Sequence, residues 1–433
     1  MTAGAVRTKT LARVTFLFLF FPPYLFAEDF SFDASAFQKK PFEIGGYLEL
    51  NSTHMNLDRG AALYFLDLQQ QRPRRNIDQN SATLELEGKF GTDKLKFNFL
   101  SQTSVLYDHL GEDGDARFFE AYASYQPATG LTIDVGKKAL KWGKGYAWNP
   151  VAFVERPKDP NDPDLNREGF KLIAADYIHS YPGDLKTLAI TPVVLPVYNN
   201  TNKDFGRTDH INVGLKTYLL YKDTDIDIMF LTNGSRSARY GIDFSKNITT
   251  NFELHGEFAY VSNVEKNVID ASGNTHIESH SANNYLLGLR YLTANETTII
   301  SEYYHNGAGF RRSQLDDFYQ LVHTAENTTN IPLLNRLQQL ARQGYARRNP
   351  GRNYFYLRLS NKEPFDILYF VPSITTIVNL DDNSYTLAPE VLYTGITNLE
   401  LRARVTFLQG KRQTEFGEKQ NENRLEIRLR YFF

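Results

Sequence analysis

The chain has 433 residues with no cysteine, a formal net charge of -2, and 42% hydrophobic residues. A mean hydropathy of -0.43 with 23% charged residues excludes a multi-span helical membrane protein, which needs several apolar runs of about 20 residues. The near-zero charge gives no reason to expect nucleic acid as a partner. The 26 Tyr and 31 Phe are unusual in so polar a chain and indicate surfaces that meet both lipid and water.

Residues 1–27 have the pattern of a secretory signal peptide. Three basic residues precede an apolar run over 14–21, and Ala27 supplies the small residue that a cleavage site needs. A membrane anchor is the alternative, but the run is too short to span a bilayer and two prolines follow it. We therefore expect export, with residues 28–41 as a periplasmic N-terminal segment.

Residues 42–433 show a two-residue hydrophobic period over most of their length. In the last segment, for example, the alternating apolar and aromatic residues are Leu425, Ile427, Leu429, Tyr431 and Phe433. Successive side chains of a strand point to opposite faces, so this period predicts strands with one apolar and one polar face.

The connections between these segments alternate in length. Eight short turns separate nine longer connections, at 57–80, 108–115, 139–170, 198–209, 232–238, 263–283, 306–352, 381–384 and 410–421. This alternation is typical of an all-β, transmembrane, antiparallel up-and-down β-barrel, here of about 18 strands, with short periplasmic turns and long extracellular loops. Lipid cannot hydrogen-bond an open sheet edge, so such a sheet must close on itself.

Aromatic residues recur at the ends of the predicted lipid-facing sides. They are Tyr221, Tyr240, Phe252, Tyr260, Tyr285, Tyr291, Phe407, Tyr431 and Phe433. The general β-propensity of aromatic residues explains any one of them. Their repetition at strand ends favours interface girdles.

A barrel of 16–18 strands encloses water, so its polar faces should line a channel. The predicted pore-lining residues are Glu253, His255, Glu257, Arg290, Arg358, Arg402, Arg404, Arg428 and Arg430. Closure would bring the arginines of the last strands beside Glu43 and Glu49 of the first. Such a ladder would orient polar or anionic solutes, or it would pair internally and stiffen the wall, and one arrangement can do both.

The connection 139–170 is the candidate constriction loop. It contains both tryptophans of the chain, and the residues predicted to contact the permeant are Lys141, Trp142, Lys144, Tyr146 and Trp148. The alternative is an outward loop that contacts lipopolysaccharide. The acidic residues Asp159, Asp162 and Asp164 lack the spacing of a known calcium loop and are better explained as solvated turn residues, so no metal is predicted.

The connection 306–352 has helical periodicity instead. Ser313 and Asp316 resemble a helix start, and Pro332 opens a second helical run that stops near Gly344. We expect a long, partly helical external loop that caps or plugs the outer mouth.

Two short patterns carry a family resemblance. The final Arg430-Tyr431-Phe432-Phe433 resembles the C-terminal signal that the barrel assembly machinery reads in Gram-negative outer-membrane proteins. The segment 136–143 (Gly-Lys-Lys-Ala-Leu-Lys-Trp-Gly), followed by Asn149-Pro150 and later by 302–307 (Glu-Tyr-Tyr-His-Asn-Gly), resembles a porin-like family of proteobacterial barrels. A looser similarity extends to the alginate-export barrels. The resemblance implies a Gram-negative outer membrane, with its lipid and lipopolysaccharide as partners, and allows a homo-oligomer.

Catalysis has little support, because the chain lacks a Gly-x-Ser-x-Gly elbow, a His-Glu-x-x-His pair and a phosphate loop. His255 between Glu253 and Glu257 fits a pore wall better than an acid–base site. We therefore predict a non-enzymatic, cofactor-free channel for passive diffusion of small hydrophilic solutes, with anionic solutes as a candidate class. The alternatives are a sheath for a periplasmic multihaem cytochrome and an exporter of an acidic polysaccharide.

Overall fold

The computed structural model describes residues 42–69 and 74–433, and the predicted signal peptide and residues 28–41 lie outside them. The described chain forms one sheet of 18 antiparallel strands. The strands are β1 (Phe42–Leu57), β2 (Asn76–Gly91), β3 (Leu95–Asp108), β4 (Gly111–Ala128), β5 (Leu131–Lys138), β6 (Phe170–Ser180), β7 (Leu185–Val197), β8 (His210–Tyr221), β9 (Thr224–Leu231), β10 (Arg239–Thr249), β11 (Phe252–Ile269), β12 (Thr275–Leu292), β13 (Thr297–Asn306), β14 (Asn353–Asn361), β15 (Phe370–Asn379), β16 (Ser384–Ile396), β17 (Leu399–Gln409) and β18 (Asn421–Phe432).

The sheet is closed. Each strand pairs with its neighbours in sequence, and β1 pairs with β18 in a register that places Tyr47 opposite Phe432 and Leu50 opposite Leu429. Closure satisfies the backbone hydrogen bonds that the edge strands of an open sheet would leave unpaired. The predicted all-β, up-and-down barrel of 18 strands is therefore confirmed.

Short turns and long loops lie at opposite ends of the barrel. Eight turns join consecutive strands at one end, which we call the turn end, and nine loops, L1 to L9, lie at the loop end. The loops used below are L1 (58–75), L3 (139–169), L7 (307–352) and L9 (410–420). Two predicted loops are much shorter than expected. The loop predicted over 108–115 is reduced to residues 109 and 110, because β4 already begins at Gly111. The loop predicted over 263–283 is reduced to residues 270–274, because Val268 and Ile269 pack under the L7 helices and extend β11.

The outer face of the barrel is apolar and exposed. Ile44 is 58% exposed, Leu50 50% and Ile427 46%. Exposed aromatic residues stand outward near the ends of strands, for example Tyr221 and Tyr291 at the turn end and Tyr240 and Phe407 at the loop end. A continuous apolar belt between two aromatic bands is the outer surface that a transmembrane barrel presents to lipid.

Loops L1, L7 and L9 pack together at the loop end. L1 contributes α1 (Ala62–Tyr64), and L7 contributes α2 (Arg312–Thr328) and α3 (Ile331–Leu340), in the segment where the sequence predicts two helical runs. The apolar sides of these helices form one buried cluster with Val268 and Ile269 of β11. Among residues 42–69 and 74–433, no helix combines the length and the apolar character needed to cross a bilayer.

The buried carboxylate of Glu418 in L9 joins these three loops. It accepts hydrogen bonds from Ala62 N of L1 at 2.6 Å and Gln413 N of L9 at 2.7 Å, and it lies 3.0 Å from His323 Nε2 of α2. The hydrogen bond to Glu418 raises the pKa of His323 above its ordinary value. We call this assembly of L1, L7 and L9 the cap.

Candidate functional site: the barrel lumen and its inner loop

The nine polar residues predicted to line the pore lie on the inward face of the barrel. They are Glu253, His255, Glu257, Arg290, Arg358, Arg402, Arg404, Arg428 and Arg430. Cα partners of adjacent strands share a face, and the register pairs Glu253 with Arg290 and Arg404 with Glu390. Alternate residues on the same strands, such as Leu401, are apolar and exposed on the outer face.

The arginines of β14, β17 and β18 form ion pairs with carboxylates of the wall. Arg404 Nε donates to Glu390 Oε2 at 2.6 Å, and Arg358 Nη2 donates to the other oxygen of Glu390 at 3.2 Å. Arg430 Nη2 donates to Glu49 Oε2 across the closing seam at 2.6 Å. The arginines therefore pair internally with carboxylates of the wall, which is one of the two alternatives that the sequence allowed. This pairing neutralises much of the arginine charge.

Glu43 does not join this ladder, contrary to the prediction. Its Cα partner is Lys89 on β2, and the pairing of β1 with β18 begins only at Tyr47, opposite Phe432. β18 ends too early to place an arginine beside Glu43, because β1 and β18 are staggered along the seam.

L3 lies inside the barrel. Trp142, Val151 and Phe153 of the loop are buried against inward-facing residues of the wall, including Leu172 of β6 and Leu195 of β7. The loop also contacts opposite sides of the ring. Its residues 144 and 162 form ion pairs with β9 and with β18, which are half a turn of the barrel apart. L3 therefore crosses the lumen.

Two carboxylates of the wall hold the backbone of L3. Glu257 Oε1 accepts hydrogen bonds from the backbone N–H groups of Lys144 and Gly145, each at 2.6 Å, and Oε2 accepts one from Val151 at 3.3 Å. Glu302, on β13, is fully buried and accepts from the N–H groups of Tyr146 and of residue 147. A carboxylate that accepts two or three backbone N–H bonds fixes a loop that has no regular secondary structure.

His255 and Glu257 are buried under this loop, although they were expected to border water. His255 is 4% exposed and its Nε2 lies 3.0 Å from Glu302 Oε1. L3 covers the wall of β11 to β13. Glu257 holds the L3 backbone directly, and His255 contacts Glu302, which also holds it. These side chains therefore position the loop. Arg290, near the turn end of β12, is exposed.

The five predicted constriction residues have different environments. Trp142 is 2% exposed, and Trp148 is 8% exposed and stacks on Tyr304 with ring centroids 5.2 Å apart. Lys144 Nζ binds Asp227 Oδ2 at 3.0 Å.

These environments change the expected contacts with a permeant. The two indole rings pack against the wall, which removes them from the stacking role expected for them. Lys141 is exposed, and Tyr146 is partly exposed.

Gly143 allows L3 to approach the wall closely. Its φ is +93°, and a Cβ there would lie 2.7 Å from Glu257 Oε1. A larger residue would therefore be strained and would collide with the carboxylate that holds the next two N–H groups.

Asp162, in the second half of L3, lies on the arginine ladder. Arg402 Nη1 donates to its two oxygens at 3.2 and 3.3 Å, and Arg428 Nη1 lies 2.9 Å from Oδ2. Asp159 binds Arg348 of L7 at 2.6 Å. Asp159 and Asp162 thus pair with arginines, and Asp162 is buried, so its predicted role as a solvated turn residue is wrong. Asp164 is exposed. The described residues contain no group of three or more His, Asp or Glu arranged to hold a metal ion.

Two cavities lie on either side of this bridge. One, of about 330 Å³, is lined by residues such as Glu43, Lys89 and Asn166 toward the turn end. The other, of about 210 Å³, is lined by residues such as Asn161 and Arg424 toward the loop end. Asn161 and Asn166 lie on either side of Asp162 in sequence, so the segment 161–166 contributes to the lining of both cavities.

Burial and ion pairing perturb the titration of several L3 residues. Burial raises the pKa of Glu155 to about 7, although Arg167 and the N–H of Trp142 oppose the shift. Burial also lowers the pKa of Lys158, whose Nζ donates to the carbonyl of residue 145 at 2.6 Å. Burial acts to raise the pKa of Asp162, but the nearby arginines outweigh it and the pKa lies below its ordinary value.

The sequence did not identify the carboxylates that hold L3 and pair with the arginine ladder, chiefly Glu302, Asp227 and Glu390. For Glu302 a signal was present. The two segments that carry the porin-like resemblance, 136–150 and 302–307, meet in the structure, where Glu302 and Tyr304 contact L3. Their separation in sequence concealed that they form one docking site.

No protein-family model matches the sequence, and no curated protein matches it. Among solved structures, OccAB1 of Acinetobacter baumannii aligns with a TM-score of 0.55 at 12% identity, covering 90% of this chain and 96% of that chain. OccK5 of Pseudomonas aeruginosa aligns with a TM-score of 0.50 at 11% identity, covering 90% and 98%. A triple mutant of the Rhodopseudomonas blastica porin aligns with a TM-score of 0.43 at 11% identity, covering 90% and 100%. The two Occ barrels show that the fold is that of bacterial outer-membrane porins. The similarity to alginate-export barrels stays a prediction.

Proposed function

We propose that the protein is a channel of the Gram-negative outer membrane through which small hydrophilic solutes diffuse passively. The observation that carries this proposal is a closed 18-strand barrel whose charged lumen is crossed, not filled, by L3, with cavities on both sides of the crossing. The apolar outer belt supports a position in lipid. The closed ring of strands supplies the passage, and L3 supplies its selectivity.

A preference for anionic solutes is the finer part of the proposal. The arginines at 358, 402, 404, 428 and 430 all face inward on β14, β17 and β18. Carboxylates of the wall and of L3 pair with them, which reduces the net positive field. We therefore expect a modest preference for anions.

The two alternative functions are disfavoured by the position of L3. A cytochrome sheath or a polysaccharide exporter needs an unobstructed bore for a protein or a polymer. L3 packs across the lumen through two buried clusters, centred on Trp142 and Trp148, and each must break to clear it. Co-purification with a multihaem cytochrome would favour the sheath.

We propose no catalytic role. The one cluster that resembled an acid–base site, around His255, is buried under L3 and holds the loop. The partners we propose are outer-membrane lipid and lipopolysaccharide around the barrel, the assembly machinery at the final strand, and small polar solutes in the lumen. A homo-oligomer stays a prediction of the barrel class.

Planar-bilayer recording tests the proposed function. The mature protein, refolded and inserted, is expected to give discrete current steps. In a KCl gradient, the reversal potential should be displaced toward the chloride equilibrium potential. Absence of current from correctly folded barrels would refute passive diffusion. A reversal potential displaced toward potassium would refute the anion preference alone.

A further inference from the structure

A groove of about 470 Å³ lies on the outer face of the barrel, where the last strand closes against the first strands. Cα partners on adjacent strands share a face, and the outward residues that line the groove fall into two rows across β18, β1, β2 and β3. One row holds Leu429, Leu50, Ala82 and Val105, and the other holds Ile427, Ser52, Asn80 and Tyr107. The groove arises because the small side chains of Ala82 and Ser52 lie between larger ones.

The groove spans an apolar and a polar part of the outer face. Its row toward the turn end is wholly aliphatic, whereas its row toward the loop end contains Ser52 and Asn80. One outward row further toward the loop end, His54 Nδ1 lies 2.6 Å from Asp78 Oδ1, and both side chains are exposed. Charged residues on the lipid face of a barrel are costly at the bilayer midplane and tolerated near the interface. The polar row therefore lies where lipid headgroups begin, and the aliphatic row lies among acyl chains.

Two exposed arginines lie beyond this boundary, at the loop end. L1 joins β1 to β2, and it carries Arg59 and Arg75 next to the strands that form the floor of the groove. Neither arginine forms an ion pair within residues 42–69 and 74–433. Arg75 is five residues from Asn80, which corresponds to about 17 Å along a strand. The rim on the far side of the groove is acidic, since Glu112 of β4 lies opposite Tyr107. An anionic group above the groove is therefore attracted to the L1 side.

The position of the groove favours a lipid as its occupant. A groove in the lipid-facing belt is filled by hydrocarbon or by another protein surface, because water finds too few polar partners there. Pairing of two copies through this face about a two-fold axis would bring the arginines of both copies together, which is repulsive. A lipid with an acyl chain below and a phosphate above contacts the aliphatic row and the arginines at the same time.

We propose that this groove binds lipopolysaccharide, with one acyl chain of lipid A between β1 and β3 and a lipid A phosphate at Arg59 and Arg75. Ser52 and Asn80 supply donors and acceptors for the ester and amide groups at the head of the chain. The inference rests on the proposed position in the outer membrane, with the loop end facing outward. It adds a defined lipid site on the outer wall and does not depend on conduction through the lumen.

Titration of lipid A into the detergent-solubilised mature barrel, followed by native mass spectrometry, tests the groove. Ala82→Trp fills the groove and should weaken the one-to-one complex by about 10-fold, which corresponds to the burial of about two methylene groups. The matched control is Ile242→Trp, which enlarges an exposed outward residue of β10, half a turn of the barrel away. This control should change the affinity less than about twofold.

The arginines are tested in the same titration. Combining Arg59→Gln with Arg75→Gln removes two positive charges near an anionic lipid and should weaken lipid A binding by about 30-fold. Binding of dephosphorylated lipid A should be the same in this variant and in the parent. Arg207→Gln, at an exposed arginine between β7 and β8, is the matched control and should have no effect. If phosphatidylglycerol binds as tightly as lipid A and responds equally to these variants, the assignment to lipopolysaccharide is overturned.

The outcomes separate this inference from the proposed function. Equal lipid A affinity in the parent and Ala82→Trp, or an equal loss in Ile242→Trp, overturns the inference even when the barrels conduct ions in planar bilayers. Oligomers of the parent that dissociate in Ala82→Trp, with lipid A binding unchanged, overturn it in favour of a second copy. The expected affinities in barrels that pass no current support the lipid site and refute passive diffusion. If Ala82→Trp impairs folding, judged by heat-modifiable electrophoretic mobility, Ser52→Phe fills the groove from β1 and provides the same test.

Discussion

The hydrogen bonds from the L3 backbone to Glu257 predict that loss of this carboxylate destabilises the loop. Replacing Glu257 with alanine removes the acceptor of two N–H bonds of 2.6 Å, from the half-buried Lys144 and the buried Gly145, and of a longer one from the buried Val151. Each buried donor without a partner costs about 1–3 kcal/mol. Water that enters the space left by the side chain satisfies part of this loss, so we expect L3 to be destabilised by about 3 kcal/mol, or about 100-fold in its opening equilibrium.

Hydrogen–deuterium exchange of peptides from 142–151 measures this opening directly. Exchange of these amides should accelerate by about two orders of magnitude in Glu257→Ala, while the barrel strands keep their protection. The matched control is Glu253→Ala, because Glu253 lies on the same strand and face but binds Ser245 and makes no hydrogen bond to L3. Unchanged exchange of L3 in Glu257→Ala would refute the reasoning that wall carboxylates hold the loop.

Three further expectations concern the loop and the cap. Burial raises the pKa of Glu155 to about 7, so the stability that protonated Glu155 gives L3 is fully present below about pH 4.5 and is lost as the pH rises through 7. Protection of the Trp142 amide from hydrogen exchange should therefore fall over the same pH range. In Glu155→Gln this pH dependence should disappear. Trp148→Ala removes a buried ring at a cost of about 3–5 kcal/mol, so L3 should become sensitive to trypsin in the folded barrel. If L3 stays resistant to trypsin, other contacts hold the loop. Glu418→Gln weakens the hydrogen-bond acceptor shared by L1, L7 and L9, so amide hydrogen exchange should rise both in α2 around His323 and in L1. A rise in only one of these segments would show that the cap is not one unit.

The barrel was predictable because its main determinant is local. Alternation such as Leu425, Ile427 and Leu429 assigns one face of a strand to lipid, and the contrast of short turns with long loops orders the strands. The extension of β11 to Ile269 was missed, because its last residues are stabilised by α2 and α3 from a distant part of the chain.

The inward position of the charged residues followed from the same alternation, but their roles did not. Nothing local distinguishes Glu257, which holds L3, from Glu253 on the same face, because the difference lies in which loop reaches them. The position of Trp142 and Trp148 in a polar loop led to the prediction that their rings stack on solutes. The structure buries both rings in the wall, where Trp148 meets Tyr304, a contact between segments more than 150 residues apart.

The proposed channel requires that the lumen conducts ions and that L3 narrows it. Planar-bilayer conductance of the parent and of a barrel in which residues 144–165 are replaced by a short Gly-Ser bridge tests this claim most directly. We expect a larger single-channel conductance and a reversal potential closer to zero in a KCl gradient for the shortened loop. Unchanged conductance and an unchanged reversal potential would contradict it.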